Sequence, residues 1–189
     1  DSFAGGRLAA EHLVALGHRK FAVVALPVRP GHSESGPITL ADVDVAIYST
    51  SRDRVHGYFD VLSGQGIDTS TVPIVETQND EPTVRAALAT LFGGRDHPTA
   101  LLVQSDRAAL IAIDWLHQHG FDVPRDVSVI GFDGIAEGQL SRPRLTTIAQ
   151  PLKDIGRSAV AAILNGMPPG RQTMPVELVV RDSTAPPRG

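Results

Sequence analysis

Short runs that are almost wholly apolar recur along this chain: "FAVVAL" (21–26), "ALLV" (100–103) and "VSVI" (127–130). A strand with one wet face alternates polar and apolar residues. A run without that alternation has to be covered on both faces. Between the runs lie longer segments with helical spacing. "SFAGGRLAAEHLVAL" keeps Leu8 or Ala9, Leu13 and Leu16 in step, with Ser2 placed to cap it and Gly17 to stop it. "EPTVRAALATLF" (81–92) has Pro82 near its first position and Gly93 just past its end. Residues 52–63, 106–120 and 151–164 read as further helices, the last opening at Pro151. "VPIVE" (72–76), "LTTIA" (145–149) and "VELVVR" (176–181) read as further strands. This order predicts an α/β protein of three layers, α/β/α, with a mostly parallel sheet and helices on both faces.

One segment breaks the rhythm. "PVRPGHSESGPITLADVDVAIYSTS" (27–51) is far longer than the roughly 4–6 residues that usually connect elements. It is rich in Gly, Pro and Ser at first and then alternates in "ADVDVAIY". It reads either as a functional loop or small hairpin at a sheet edge, or as a flexible insertion. Two helices also stand out. Helix 106–119 is apolar on more than one stripe: Ala109, Ala112, Ile113 and Leu116 on one, Ala108, Ile111 and Trp115 on another. One side can cover the sheet, and the other needs a dimer mate or a neighbouring helix. Helix 151–164 carries Leu152, Ile155, Ala159, Ala162 and Ile163 on one face and needs a core to bury them. The chain also begins abruptly on a helix without an initiator Met, which reads as a fragment or a processed piece.

Charge and composition exclude several functions. A net charge of −4 with only two lysines, Lys20 and Lys153, does not suit nucleic-acid binding through this surface. With no cysteine, there can be no disulfide, thiol nucleophile or Cys-based zinc site. No apolar run is long enough for a transmembrane helix. GxGxxG, P-loop, HExxH and GxSxG patterns are all absent. His117 and His119, two apart on a helix, point to different sides and do not make a metal pair. The expectation is a protein that is not an enzyme, with no catalytic residue, cofactor or metal.

What remains is polar residues at strand ends, where ligands sit in open α/β sheets. "ALLVQSD" delivers Ser105 and Asp106, "VSVIGFDG" delivers Asp133, and "STSRDRVHG" delivers Arg52 and Arg54 at a helix start. An aspartate can accept from two vicinal hydroxyls, and an arginine donates a planar fork. Together they describe a site for a polyol or sugar. Each residue has a plainer reading. Asp106 suits an N-cap, Asp133 a turn, and Arg54 a surface ion pair. Gly131 and Gly134 would give the chain room to turn and a ligand room to approach.

Six stretches in order resemble the effector-binding region of lactose-repressor-type (LacI/GalR) transcription regulators: "DSFAGGRLAAEHLVALGHRKFAVV", "SRDRVHGYFDVL", "HPTALLVQSDRAALIAI", "GFDVPRDVSVIGFDG", "RPRLTTIAQPLKDIG" and "VELVVRDST". They cover most of the chain outside 27–51. The resemblance implies a periplasmic-binding-protein-like (type I) fold of two subdomains with a small-molecule effector, a sugar, in the cleft between them. It further implies a homodimer in the cytoplasm, binding DNA only through an N-terminal helix-turn-helix headpiece. On this reading 1–149 with 175–189 form the C-terminal subdomain, and 151–165 is a helix of an N-terminal subdomain that is largely missing. Arg54 in "RVHG" and Asp133 in "GFDG" match effector-binding positions. Ser105 stands where many members carry Asn, and Asn79 stands near the place of a stacking aromatic ring. Thr50 and Ser51, in the loop before Arg54, are within reach of the ligand. Ala109, Ala112, Ile113 and Leu116, with the loop near 136–142, match the dimer-forming region. The alternative is a periplasmic sugar-binding protein of the same fold.

Overall fold

A computed structural model describes residues 1–29, 36–94, 96–166, 170 and 172–188. Its strands are β1 (Phe21–Ala25), β2 (Gly36–Ile38), β3 (Ile74–Glu76), β4 (Ala100–Val103), β5 (Ser128–Asp133), β6 (Thr146–Ala149) and β7 (Glu177–Val179). They form one sheet in the order β2-β3-β1-β4-β5-β6-β7. The five inner strands run parallel, and β2 and β7 close the edges antiparallel. The helices are α1 (Ser2–Ala15), α2 (Leu40–Asp44), α3 (Ser49–Gly64), α4 (Glu81–Phe92), α5 (Asp106–Gln118), α6 (Glu137–Leu140) and α7 (Leu152–Leu164).

The apolar runs are buried on both faces, as expected. Phe21, Val23, Leu102, Ile130 and Phe132 face the core under α1 and α3, while Ala22, Val24, Leu101, Val103 and Val129 face α4 and α5. The two-residue period of a strand sends neighbours to opposite cores. α1 and α3 pack unusually closely. A Cβ on Gly57 would lie 2.3 Å from the Phe3 carbonyl, and one on Gly6 would lie 2.5 Å from the Arg54 carbonyl. This contact pins the backbone that carries Arg54.

The 27–51 segment is neither a simple loop nor a hairpin. Residues 30–35 lie outside the described residues. After them β2 pairs with β3 at the sheet edge, and the alternating "ADVDVAIY" is not a strand. Its first half is α2. The Thr39 hydroxyl accepts from Asp42 N, and the Asp42 carboxylate accepts from Thr39 N at 2.8 Å. That reciprocal cap starts a helix where apolar spacing alone suggested extended chain.

The dimer stripe on α5 is a correction. Ala109, Ala112, Ile113 and Leu116 are 0–4% exposed and belong to the chain's own core. The second stripe is covered by a neighbour: Trp115 lies 5.9 Å from the Phe92 ring of α4. The helical period puts all four expected contacts on the sheet-facing side, so none of them is available to a partner. α7, by contrast, has no buried residue, and Leu152, Ile155, Val160, Ile163 and Leu164 are all exposed.

Beneath the sheet, His18 is 1% exposed. Its Nδ1 meets the Thr99 hydroxyl at 2.9 Å and its Nε2 the Ala185 carbonyl at 2.9 Å. A carbonyl only accepts, so Nε2 carries a proton, and burial favours the neutral ring. Burial pushes the pKa of both His18 and His12 below the ordinary 6.5. The folded chain therefore binds fewer protons than the unfolded one just below that value, and stability falls as pH falls. The melting temperature is expected to drop between pH 7 and pH 5, less so in His18→Asn. A flat or rising profile in the parent protein would contradict a neutral buried ring. The buried Asp106 and the half-buried Asp133, whose pKa values are raised, act in the opposite sense at more acid pH.

Candidate functional site

Strand order reverses between β1 and β4, because the chain runs from β1 outward to β3 and then returns to place β4 on the other side. Such a reversal opens a crevice at the carboxyl ends of the strands. Gln104, directly after β4 and fully buried, bridges it. Its side-chain oxygen accepts from Leu26 N at 3.0 Å, and its Nε2 donates to the Ser51 carbonyl at 2.9 Å. Its backbone carbonyl accepts from Arg54 Nη1. One residue, through its side chain and its carbonyl, thus ties the end of β1, the start of α3 and the buried arginine together.

Arg54 is 4% exposed, and its guanidinium lies 3.7 Å over the centre of the Phe132 ring. Nη2 stands 3.7 Å from Asp133 Oδ1. That is close enough for charge attraction but too far for a hydrogen bond. Asp133 also accepts from Gln150 Nε2 at 2.7 Å. Burial lowers the pKa of Arg54, and burial raises that of Asp133 against the opposing pull of Arg54. Arg54 Nε is buried with no partner. A cation and an anion held apart in this way can both turn to the same polar ligand.

Asp106 is not the cap of α5. Ser105 takes that role, accepting from Arg107 N at 3.2 Å. The Asp106 carboxylate is fully buried and reaches across to the loop after β5. Oδ2 accepts from Gly134 N at 2.7 Å and Ile135 N at 2.8 Å, and Oδ1 from the Thr147 hydroxyl at 2.5 Å. Burial raises its pKa against these bonds. The grip fixes the backbone next to Asp133, whose φ of 124° is one that side chains rarely adopt. The two glycines have separate reasons. A Cβ on Gly131 would lie 2.2 Å from Asp106 Oδ1, so Gly131 makes room for that carboxylate rather than for a ligand. Gly134 has φ +80°, which the turn requires.

Thr50 and Ser51 lie in the first turn of α3 and not in a loop before it. Thr50 is exposed, whereas Ser51 is buried and donates to the Pro27 carbonyl at 3.1 Å. Ser105 is buried, with its oxygen engaged as the cap. Asn79 follows β3 in a left-handed turn, φ 58°, and its Oδ1 is buried without a partner. No hydrogen bond joins it to Arg54 or Asp133. Arg52 pairs with its neighbour Asp53 at 3.2 Å and lies outside the crevice group.

Sequence reading missed Gln104, Phe132, Gln150 and Glu76. Glu76, fully buried at the end of β3, accepts from Val28 N at 2.7 Å and Arg29 N at 3.1 Å. It also accepts from Arg29 Nε at 2.9 Å and Nη2 at 2.8 Å. Gln104 and Glu76 each end an apolar run in a polar residue, the same signal that singled out Asp133.

Known proteins similar to this chain agree on a family. A family model described as "Periplasmic binding protein-like domain" matches residues 10–184. An HTH-type transcriptional regulator of Mycolicibacterium smegmatis is 32% identical over 94% of this chain and 50% of its own length. The lactose operon repressor of Escherichia coli is 31% identical over 97% of this chain and 46% of its own. The chain spans about half the length of the curated relatives it matches. Among solved structures, a LacI family transcriptional regulator from Enterococcus faecium with bound ribose is 28% identical, with a TM-score of 0.79 over 98% of this chain and 64% of that one.

Proposed function

Because the chain belongs to the periplasmic binding protein-like domain family, in its LacI-type regulator branch, we propose that it senses a sugar or similar polyol for a transcription regulator. The observation that carries this is the Arg54–Asp133 pair at the strand crossover, a buried arginine and a half-buried aspartate held 3.7 Å apart. A sugar offers adjacent hydroxyls that donate to Asp133 and accept from Arg54. Ser105, Thr50, Ser51 and Asn79 belong to the same proposal as supporting groups. The ribose in the Enterococcus faecium relative supports the ligand class.

The regulator works in the cytoplasm as a homodimer and meets DNA through a headpiece outside this chain. The effector shifts the closure of two subdomains, and closure repositions the headpieces. The first subdomain comprises 1–149 with 175–189. The exposed apolar face of α7 (Leu152, Ile155, Ile163) supports assigning 151–165 to the second. For the dimer, the exposed large apolar side chain near 136–142 is Leu140, 78% accessible on α6. No helix among the described residues is long and apolar enough to cross a membrane.

Titrating the full-length protein with a sugar library, ribose included, while reading operator affinity tests the proposal. At least one sugar is expected to bind and to change operator affinity. A library in which sugars bind but never alter DNA binding would favour the periplasmic receptor instead.

A further inference from the structure

The residue that follows β6 is tied twice to the aspartate of the crevice. Gln150 N donates to the Asp133 carbonyl at 3.1 Å, extending the β5–β6 pairing by one bond past Ala149. Its side-chain Nε2 donates to Asp133 Oδ1 at 2.7 Å. Oδ1 is also the oxygen that stands 3.7 Å from Arg54 Nη2. A polar group that bridges Arg54 and Asp133 therefore meets the oxygen that Gln150 already holds.

Immediately beyond Gln150 the chain turns away from the sheet. The Gln150 carbonyl accepts from Leu152 N at 2.8 Å, and Pro151 has φ −78° and ψ 61°. That is an inverse γ-turn centred on Pro151, directly before α7. The proline ring fixes φ, and the residue before a proline is restricted as well. The softest torsion left at this joint is ψ of Pro151, so rotation there swings α7 about a single axis. α7 has no buried residue to hold it against the sheet. A space of about 360 Å³, lined by Gln150, Pro151, Thr50, Ile155, Ala159 and Ala162, lies between α7 and the start of α3. Gln150 therefore stands between the anion of the site and a joint with one soft torsion and room to move.

Resting on the effector-binding reading above and on the assignment of 151–165 to the second subdomain, the geometry points to Gln150 as the positioning residue that couples effector to hinge. An effector hydroxyl that donates to Asp133 Oδ1 takes the place of Gln150 Nε2. The released side chain no longer braces the joint, and α7 turns about Pro151 with the subdomain it belongs to. Gln150 opposes the effector in the resting state, and breaking its bond is what makes the effector distinguish two states. A residue that only contacted the effector would add to affinity, whereas Gln150 subtracts from it.

The test uses the full-length protein, titrated calorimetrically with the sugar library that includes ribose and assayed for operator affinity with and without each sugar. In Gln150→Ala the best-binding sugar is expected to bind about three- to tenfold tighter than in the parent, the worth of one hydrogen bond that no longer has to be broken. The factor by which that sugar changes operator affinity is expected to fall about threefold or more, since the sugar no longer tells the two states apart. Pro151→Ala unlocks the joint without touching Asp133. It is expected to keep sugar affinity within about twofold and to lower the same factor about threefold, and it decides the matter if a thermal melt shows that Gln150→Ala does not fold. Weaker sugar binding in Gln150→Ala would make Gln150 an ordinary effector contact and overturn the inference, as would an unchanged factor in either variant. In each of these cases the sugar site still stands. If no sugar bound, or none altered operator affinity, the effector reading would fall and this inference with it.

Discussion

Arg54→Ala is expected to weaken effector binding by about 100-fold or more, the equivalent of one or two charge-assisted hydrogen bonds. The guanidinium is positioned on three sides: by the Phe132 ring beneath it, by the Gln104 carbonyl at Nη1 and by Asp133 across 3.7 Å. It reaches the ligand with little freedom left to lose. Removing it also leaves the half-buried Asp133 without its counter-charge, so that carboxyl rises further in pKa and accepts less well. Arg54→Lys is not expected to rescue binding, because a lysine offers no planar fork and no flat face for Phe132. Asp133→Asn keeps the shape, loses the charge and is expected to bind about tenfold more weakly or worse. Calorimetry on full-length protein, with a thermal melt as the control for folding, checks these values. Affinity unchanged within threefold in both Arg54→Ala and Asp133→Asn would remove the site from this crevice.

The inner strands were readable because a strand covered on both faces has no polar alternation to hide it. The segment 36–48 was not readable in the same way. A short edge strand of three residues carries almost no pattern, and the alternation in "ADVDVAIY" matched a strand better than a helix. The Thr39–Asp42 cap outweighed it, because a local pair of hydrogen bonds decides the start of so short a helix. On α5, apolar residues on two stripes looked like one face too many. Packing of α4 against that helix supplied the cover, and sequence spacing does not record which helix will be the neighbour.

The site was half legible for a related reason. Arg54 and Asp133 stand at element ends beside apolar runs, where a polar residue attracts notice. Gln104 stands in the same kind of place but is uncharged, and its value lies in bonds to Leu26, Ser51 and Arg54 that only the fold brings together. Asp106 was misread because a strand-to-helix junction with Asp usually means a cap. Ser105 one residue earlier fills that role and frees the carboxylate to reach Gly134, Ile135 and Thr147.

That misreading leads to the second large effect. Asp106→Ala removes three hydrogen bonds and strands two N–H groups and a hydroxyl in a buried place. The expected loss is about 3–5 kcal/mol of stability. Asp106→Asn is expected to cost far less. The amide oxygen can take both backbone donors, and the Thr147 hydroxyl can turn to accept from the amide nitrogen. Effector affinity should follow the same order, though Asp106 itself is a positioning residue. Without the grip on Gly134 and Ile135, the backbone beside Asp133 loses two of the bonds that hold its disfavoured conformation. Gly131→Ala attacks the grip from the other side, placing a methyl group 2.2 Å from Asp106 Oδ1. The two changes should not add. In Gly131→Ala with Asp106→Ala, the new methyl occupies space the carboxylate has left, so the double variant should be less destabilised than the sum of the single ones. Urea unfolding of the four proteins measures this coupling. Strict additivity, or Asp106→Asn as damaging as Asp106→Ala, would mean that the carboxylate's charge and not its hydrogen bonds to the 134–135 turn gives it its role.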